Sequence, residues 1–276
     1  MRECVTDSYS VEKEKRRAAT RHVNIGAIRA RLVIALALAA APLSTAHAGP
    51  PFLTDDPDPT DFQQYEIYLY SQGVVDGGAN TGTALGLEVN YGALPDVQVS
   101  VALPAGFSAP ARSQATFGVS DAEFGIKYRF IEEEIDGWRP QVSFYPAVQA
   151  ALGSSGKSLG DSATHLFLPL WAQKSFGPWT TFGGGGYRIN PGPDGRNSWF
   201  AGWALMRRIS DRFQMGAEIY HETAEASGEK ETSGANIGAL YDLNDRFHLV
   251  GSAGPSTTAC CRAVALSYYL ALEWTP

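Results

Sequence analysis

The stretch Ala263-Val264-Ala265-Leu266-Ser267-Tyr268-Tyr269-Leu270-Ala271-Leu272-Glu273-Trp274 decides how the rest of the chain reads. Its large apolar residues, Val264, Leu266, Tyr268, Leu270, Leu272 and Trp274, fall at every second position, with small or polar residues between them. Successive side chains of a strand point to opposite faces, so the pattern gives one apolar face and one that is not. At a rise of about 3.3 Å per residue the segment is as long as a tilted strand needs to cross a bilayer. A half-buried strand of a soluble sandwich would alternate in the same way, so the remaining sequence has to decide.

Composition narrows the choice. After residue 48 no apolar run approaches the roughly 20 residues of a membrane helix, which excludes a helical membrane protein. Aromatic residues at 11%, 29 glycines and only 18% charged residues suit many strands joined by turns. Residues 1–48 read as an export signal: Arg29 and Arg31 precede the apolar run Leu32 to Leu43, and Ala46-His47-Ala48 is a small-x-small cleavage site. The stretch before that run is long for a leader, and translation starting near Val23 would shorten it. Without the eight basic and four acidic residues of the leader, the rest carries 14 basic and 25 acidic side chains, a formal charge of −11. Nucleic acid is excluded as a partner on that balance, because binding its backbone needs a basic surface. The neighbours Cys260 and Cys261 lack zinc spacing and form no disulfide scaffold; they read as two inert loop cysteines or as a strained vicinal disulfide.

Residues 49–63, GPPFLTDDPDPTDFQ, hold four prolines and four aspartates and cannot join a ladder at most positions. They either fold into a lumen as a small plug or hang free. Asp55, Asp56 and Asp58 match no calcium loop, so no metal is expected there. From Gln64 onward, strand-like runs alternate with two kinds of connection. Gly92–Asp96, Ile131–Gly137, Ser175–Pro178, Ile209–Arg212 and Asp242–Arg246 are short. Gln72–Thr81, Pro104–Phe117, Leu152–Ala163, Asn190–Asn197, Glu222–Ser233 and Ala253–Arg262 are longer and rich in Gly, Ser and charge. Five short and six long connections in strict alternation imply twelve strands with both termini on the short-turn side. That is the plan of an outer-membrane barrel, with short turns in the periplasm and longer loops outside.

Outward candidates follow the period of two: Tyr65, Ile67, Leu69; Leu85, Leu87, Val89, Tyr91; Val97, Val99, Val101, Leu103; Phe124, Ile126, Tyr128, Phe130. Opposite them lie Glu66, Glu88, Asn90, Gln98, Ser100, Asp121, Glu123, Lys127 and Arg129. Twelve apolar faces with no second sheet or helix layer to cover them need lipid. Aromatic residues gather near the strand ends, as the girdles of a membrane barrel do: Tyr91, Phe130, Trp138, Trp171, Phe176, Trp179, Phe213, Tyr241, Phe247 and Trp274 near short turns, and Phe117, Tyr187, Trp199 and Tyr220 beside long loops. Pro146 and Pro169 fall inside strands, where bulges are predicted because a closed barrel has no edge to hide them. Gly183 to Gly186 reads as a bent or closely approached strand rather than a phosphate loop.

A lipid hydrolase in this setting would need a serine activated by histidine. The histidines His165, His221 and His248 have no serine two residues on, so no catalytic residue is assigned. The acidic runs Glu132–Asp136 and Glu222–Glu231 read as solvated faces; a divalent bridge from the second to lipopolysaccharide phosphate is the other reading. The charged candidates for a lumen are Glu66, Glu88, Asp121, Glu123, Lys127, Arg129, His165, Arg188, Glu218 and Glu273. Charge inside a narrow barrel must be paired or wet, so they either prop the wall or set selectivity.

The mature start GPPFLTDDPDP, the aromatic strand QQYEIYLYSQ, the turn NYGALPDVQVSVALP and the strand FGVSDAEFGIKYRF resemble the outer-membrane proteins grouped as the meta-pathway phenol-degradation family. The resemblance spans residues 49–276, with motif-like similarity in the first half. It implies an outer-membrane barrel that transports small aromatic or other apolar molecules, and it carries over no functional residue. The expectation is therefore an all-β protein, a transmembrane antiparallel β-barrel of about twelve strands at residues 64–276, without catalytic site, metal or cofactor. It would stand in the bacterial outer membrane as a monomer among lipid and lipopolysaccharide, passing small solutes by passive diffusion. A closed structural or adhesive barrel, or a lipid-modifying enzyme, is the alternative.

Overall fold

The computed structural model describes residues 51–154, 159–161, 163–258 and 263–276. The leader and the Cys260-Cys261 pair lie outside the described residues. The strands are β1 (Tyr65–Asp76), β2 (Ala79–Leu94), β3 (Val97–Ala109), β4 (Thr116–Val119), β5 (Ala122–Ile131), β6 (Gln141–Phe144), β7 (Ala147–Ala150), β8 (His165–Phe176), β9 (Trp179–Ile189), β10 (Ser198–Ser210), β11 (Phe213–Glu222), β12 (Thr232–Asp242), β13 (Phe247–Thr258) and β14 (Ala263–Trp274). β4 and β5 are two pieces of one stave, as are β6 and β7, because each next stave pairs with both pieces. Every pairing is antiparallel, and β1 bonds to β2 on one edge and β14 on the other. The result is a closed ring of twelve staves.

Closure leaves no sheet edge, and the side-chain faces are those of a barrel in lipid rather than in water. Leu85, Leu103, Trp199, Ile219, Ile237, Val264 and Leu266 point out and are half or more exposed, while Asn90, Gln98, Ser100, Ser143, Gln173, Glu218, Asn236 and Glu273 point in and are buried. The last strand keeps the parity read from its sequence, with Glu273 inside and Leu272 and Trp274 outside. Girdle rings pair across strands at both ends: Tyr65 with Tyr91 (centroids 4.6 Å) and Phe247 with Trp274 (6.4 Å) at the short-turn end, Tyr187 with Trp199 (4.8 Å) at the other. Trp171 and Tyr220 are not among them. Both have inward parity and are buried.

Three further expectations are corrected. Gln72–Thr81 is not a long loop: β1 and β2 run on to a two-residue hairpin at Gly77-Gly78, whose φ values of 54° and 88° are those that match strand twist in a primed turn. The acidic turn grows the other way, because β5 ends at Ile131 and β6 begins only at Gln141. Neither Pro146 nor Pro169 causes a bulge. The register of β5 against β6 and β7 is the same on both sides of Pro146, and β8 pairs with β9 through Pro169 without a shift. The prolines keep half of each bond pair: the Pro146 carbonyl accepts from the Ile126 amide (3.0 Å) and the Pro169 carbonyl from the Tyr145 amide (3.2 Å). Only the donors that proline lacks are missing, so no extra residue is needed.

The glycines explain why so many inward aromatics leave a bore. A Cβ on Gly86, Gly125 or Gly234 would strike the ring of Tyr70, Tyr145 or Tyr220 on the neighbouring stave. Each ring therefore lies flat across a glycine, against the wall. Within the four-glycine run the same holds at Gly184, beside the Trp171 ring, and a Cβ there would also run into the Leu170 carbonyl. Twelve staves ~4.8 Å apart and tilted by about 40° close at a backbone diameter of about 24 Å. Flat rings keep part of that width free.

Candidate functional site in the barrel lumen

Residues 51–64 do not hang free; they enter the barrel and cross it along a diameter. The Gln63 amide donates to the Gly92 carbonyl (2.8 Å) and the Gly92 amide to the Gln64 carbonyl (3.1 Å), which fixes the segment beside β2. Gln98 on β3 then takes the Thr60 amide (2.7 Å) and hydroxyl (3.0 Å) on its Oε1. Arg129 on β5 donates to Asp58 Oδ1 at 2.7 Å and, from its other nitrogens, to Asp96 at 2.6 and 2.8 Å. Lys127 Nζ lies 3.1 Å from Asp55 Oδ2 and 3.8 Å from Asp56 Oδ1, and donates to the Asp58 carbonyl at 3.4 Å.

From the far wall, Glu218 on β11 accepts the Leu53 amide on Oε1 (3.1 Å) and the Thr54 amide on Oε2 (3.0 Å), and Asn236 steadies it at 2.7 Å. The Ser252 hydroxyl donates to the Pro51 carbonyl, and Phe52 packs on Phe182, Ala204 and Met206. Lys127 and Glu218 stand nearly opposite in the ring, so two long side chains meet consecutive residues, Thr54 and Asp55, at the centre. Pro51, Pro57 and Pro59 make such a strap cheap to hold extended, since each fixes its own φ.

The strap absorbs Glu218, Lys127 and Arg129 among the residues singled out in the sequence. Asp121 is spent differently: between β4 and β5 it accepts the Gly153 amide (2.7 Å) and the Asp161 amide (2.6 Å), drawing part of the 151–164 connection to the wall. Arg188 bonds Glu222 (2.7 Å) and Glu225 near the long-loop end and lies over the Phe167 ring. His165 is 3.7 Å from Asp161. Glu66 and Glu273 flank the Tyr68 hydroxyl, and Glu88 accepts from Asn90 Nδ2 at 3.1 Å. Glu123 points inward and remains solvent-exposed.

Sequence reasoning gave no role to Gln98, to Gln141, whose Nε2 donates to Asp58 Oδ1 at 3.1 Å, or to Asn236 behind Glu218, because none carries a charge to flag it. It also missed that Ser233, twelve residues after His221 but beside it on β12, places its hydroxyl 2.8 Å from His221 Nδ1. The pair is exposed, and among the described residues no carboxylate hydrogen-bonds to the other ring nitrogen, so it lacks the third member of a hydrolase triad.

Burial pushes the Asp56 carboxyl well above the usual carboxylate range, against the pull of Lys127 and with the push of Asp55 and Asp58. A group that holds its proton more tightly when seated than when withdrawn favours seating at low pH, and that contribution is lost as pH rises through its raised pKa. A spin label on Leu53→Cys, with Cys260 and Cys261 changed to serine, is therefore expected to be more immobilised at acid than at alkaline pH. Asp56→Asn should flatten the dependence.

No family model and no curated protein sequence matches the chain. Among solved structures it is similar to an outer-membrane channel from Pseudomonas putida F1, at 13% identity and a TM-score of 0.63, covering 79% of this chain and 99% of that one. It is also similar to the NanC porin, at 11% identity and a TM-score of 0.50, covering 75% of this chain and 98% of that one. At such identities the likeness establishes the fold, and that fold is the bacterial outer-membrane β-barrel.

Proposed function

We propose that this chain is a channel of the bacterial outer membrane that passes small solutes, aromatic or apolar compounds among them, by passive diffusion. The observation that carries the reading is a wall of flattened rings and fixed charge around a bore that a tethered segment narrows without filling: Glu123 inside it is open to solvent. In this reading residues 1–48 are removed on export, residues 49–63 act as a partial plug, short turns face the periplasm, and the monomer sits among lipid and lipopolysaccharide. The likeness to a channel from Pseudomonas putida supports it, as does the motif-level resemblance to the meta-pathway phenol-degradation family. Selectivity would come from lumen side chains and the width left beside the strap. The test is single-channel recording of the refolded protein in a planar bilayer. Discrete ohmic steps are expected; silence from protein that still runs as a heat-modifiable folded band would leave a closed structural barrel.

A further inference from the structure

The strand registers place one line of inward residues side by side around the wall. Asp242 pairs with His248, His248 with Glu273, Glu273 with Tyr68, Tyr68 with Glu88, Glu88 with Ala102, Ala102 with Glu123, Glu123 with Gln149, and Gln149 with His165. Because staves are tilted, such a line climbs, here from the short-turn end at Asp242 to the long-loop end at His165. It carries a carboxylate at about every second stave, hence roughly 10 Å apart, and no lysine or arginine.

The basic groups that face the lumen from β5 and β9 are already matched. Lys127 is held by Asp55 and Asp56, Arg129 by Asp58 and Asp96, and Arg188 by Glu222 and Glu225. Among the described residues no salt bridge reaches Glu88, Glu123 or Glu273. The middle of the line is also an aromatic enclosure. Tyr70 and Tyr269 stack at 6.0 Å beside Glu88, and Tyr145, on the stave next to β5, lies against Gly125, two residues from Glu123. Among the described residues two buried oxygens there have no hydrogen-bond partner: Asn90 Oδ1, on a side chain 5% exposed whose nitrogen is given to Glu88, and the Tyr269 hydroxyl. Carboxylates, ring faces and spare acceptors share one complement, a cation with an apolar body. The protein shows the contact itself: the Lys127 ammonium sits 5.1 Å above the Tyr145 ring.

We propose that this acidic line is the path of the solute, and that the solute is a small organic cation, an ammonium group on an aromatic or apolar body. The proposal rests on the channel reading and narrows it. The charge steps from Glu88 to Glu123 while the body slides over Tyr269 and Tyr145, and Glu273 stays buried at the short-turn end of the line. Aromatic acids are turned away by the same carboxylates.

The test uses the full mature chain and three probes of one shape: benzylammonium, benzyl alcohol and benzoate. In planar bilayers a KCl gradient should give a reversal potential of cation sign, and benzylammonium should interrupt the current where benzoate does not. Glu88→Gln with Glu123→Gln should reduce the cation preference and weaken benzylammonium binding about tenfold. Glu88→Asp should retain most of both. Calorimetric binding of the same probes to the folded protein in detergent separates the two levels of argument. Binding of benzylammonium that the double variant loses would uphold the site even if the barrel conducts nothing. Ohmic steps that benzoate or benzyl alcohol affects as strongly as benzylammonium would uphold the channel and overturn the site.

Discussion

Deleting residues 49–63 is expected to raise single-channel conductance by roughly twofold or more, because an extended segment and its side chains occupy close to half of the width that a twelve-stave wall leaves free. The strap is attached at points rather than along an edge, so removing it exposes Gln98, Lys127, Arg129 and Glu218 to the lumen without breaking a ladder bond. In a widened bore these groups meet water, which replaces the lost partners at little cost. The barrel itself should survive: the ring closes through β1 and β14, and neither strand uses the strap for its pairing. Conductance steps equal to those of the intact chain, from protein with a folded band, would show that the strap does not limit the bore.

Much of this was legible in the sequence because lipid and water impose opposite demands on alternate residues. Leu266, Leu270 and Leu272 on one side and Glu273 on the other have no second arrangement in a closed barrel, so period two fixes both face and register. Where the structure departs, a neighbour that is distant in sequence decides. Trp171 is girdle-like by distance from a turn, but its parity turns it inward onto Gly184. The prolines needed no bulge because their missing donors affect one bond each. Lys127 and Glu218 were identifiable as lumen charges; that they would meet Asp55 and the Thr54 amide at the centre was not, because pairing across a diameter leaves no mark in either strand's pattern. The acidic line is likewise a property of register, visible only when Glu88, Glu123 and Glu273 are set on adjacent staves.

Lys127→Met is expected to release the strap. Lys127 is 4% exposed, and its ammonium is the cation that Asp55 and Asp56 share at the centre of the lumen. Methionine fills much the same volume but leaves the Asp55 and Asp56 carboxyls without their cation, and breaking a buried pair by removing one partner costs about 3–5 kcal/mol. The outer of the two carboxylates, Asp55, is 23% exposed, which places the cost at the low end of that range. It is still comparable to what Glu218 contributes through its two backbone hydrogen bonds, each about 1.5–3 kcal/mol for a charged acceptor. The strap has an exit that a buried pair in a core lacks: it can leave for water while the staves stay paired. Conductance of the variant should therefore rise towards that of the deletion, with the folded band unchanged. Adding Asp55→Asn and Asp56→Asn removes the stranded charge and should return the lower conductance, which a change in barrel shape would not do. Arg129→Met should do less, because its partners Asp58 and Asp96 are 29% and 30% exposed and water can take over from the guanidinium. A Lys127→Met protein that keeps the parent conductance would mean that the strap's other anchors, Glu218, Gln98 and Arg129 among them, seat it without Lys127, and that the charge at the centre of the lumen is already neutralised by protons.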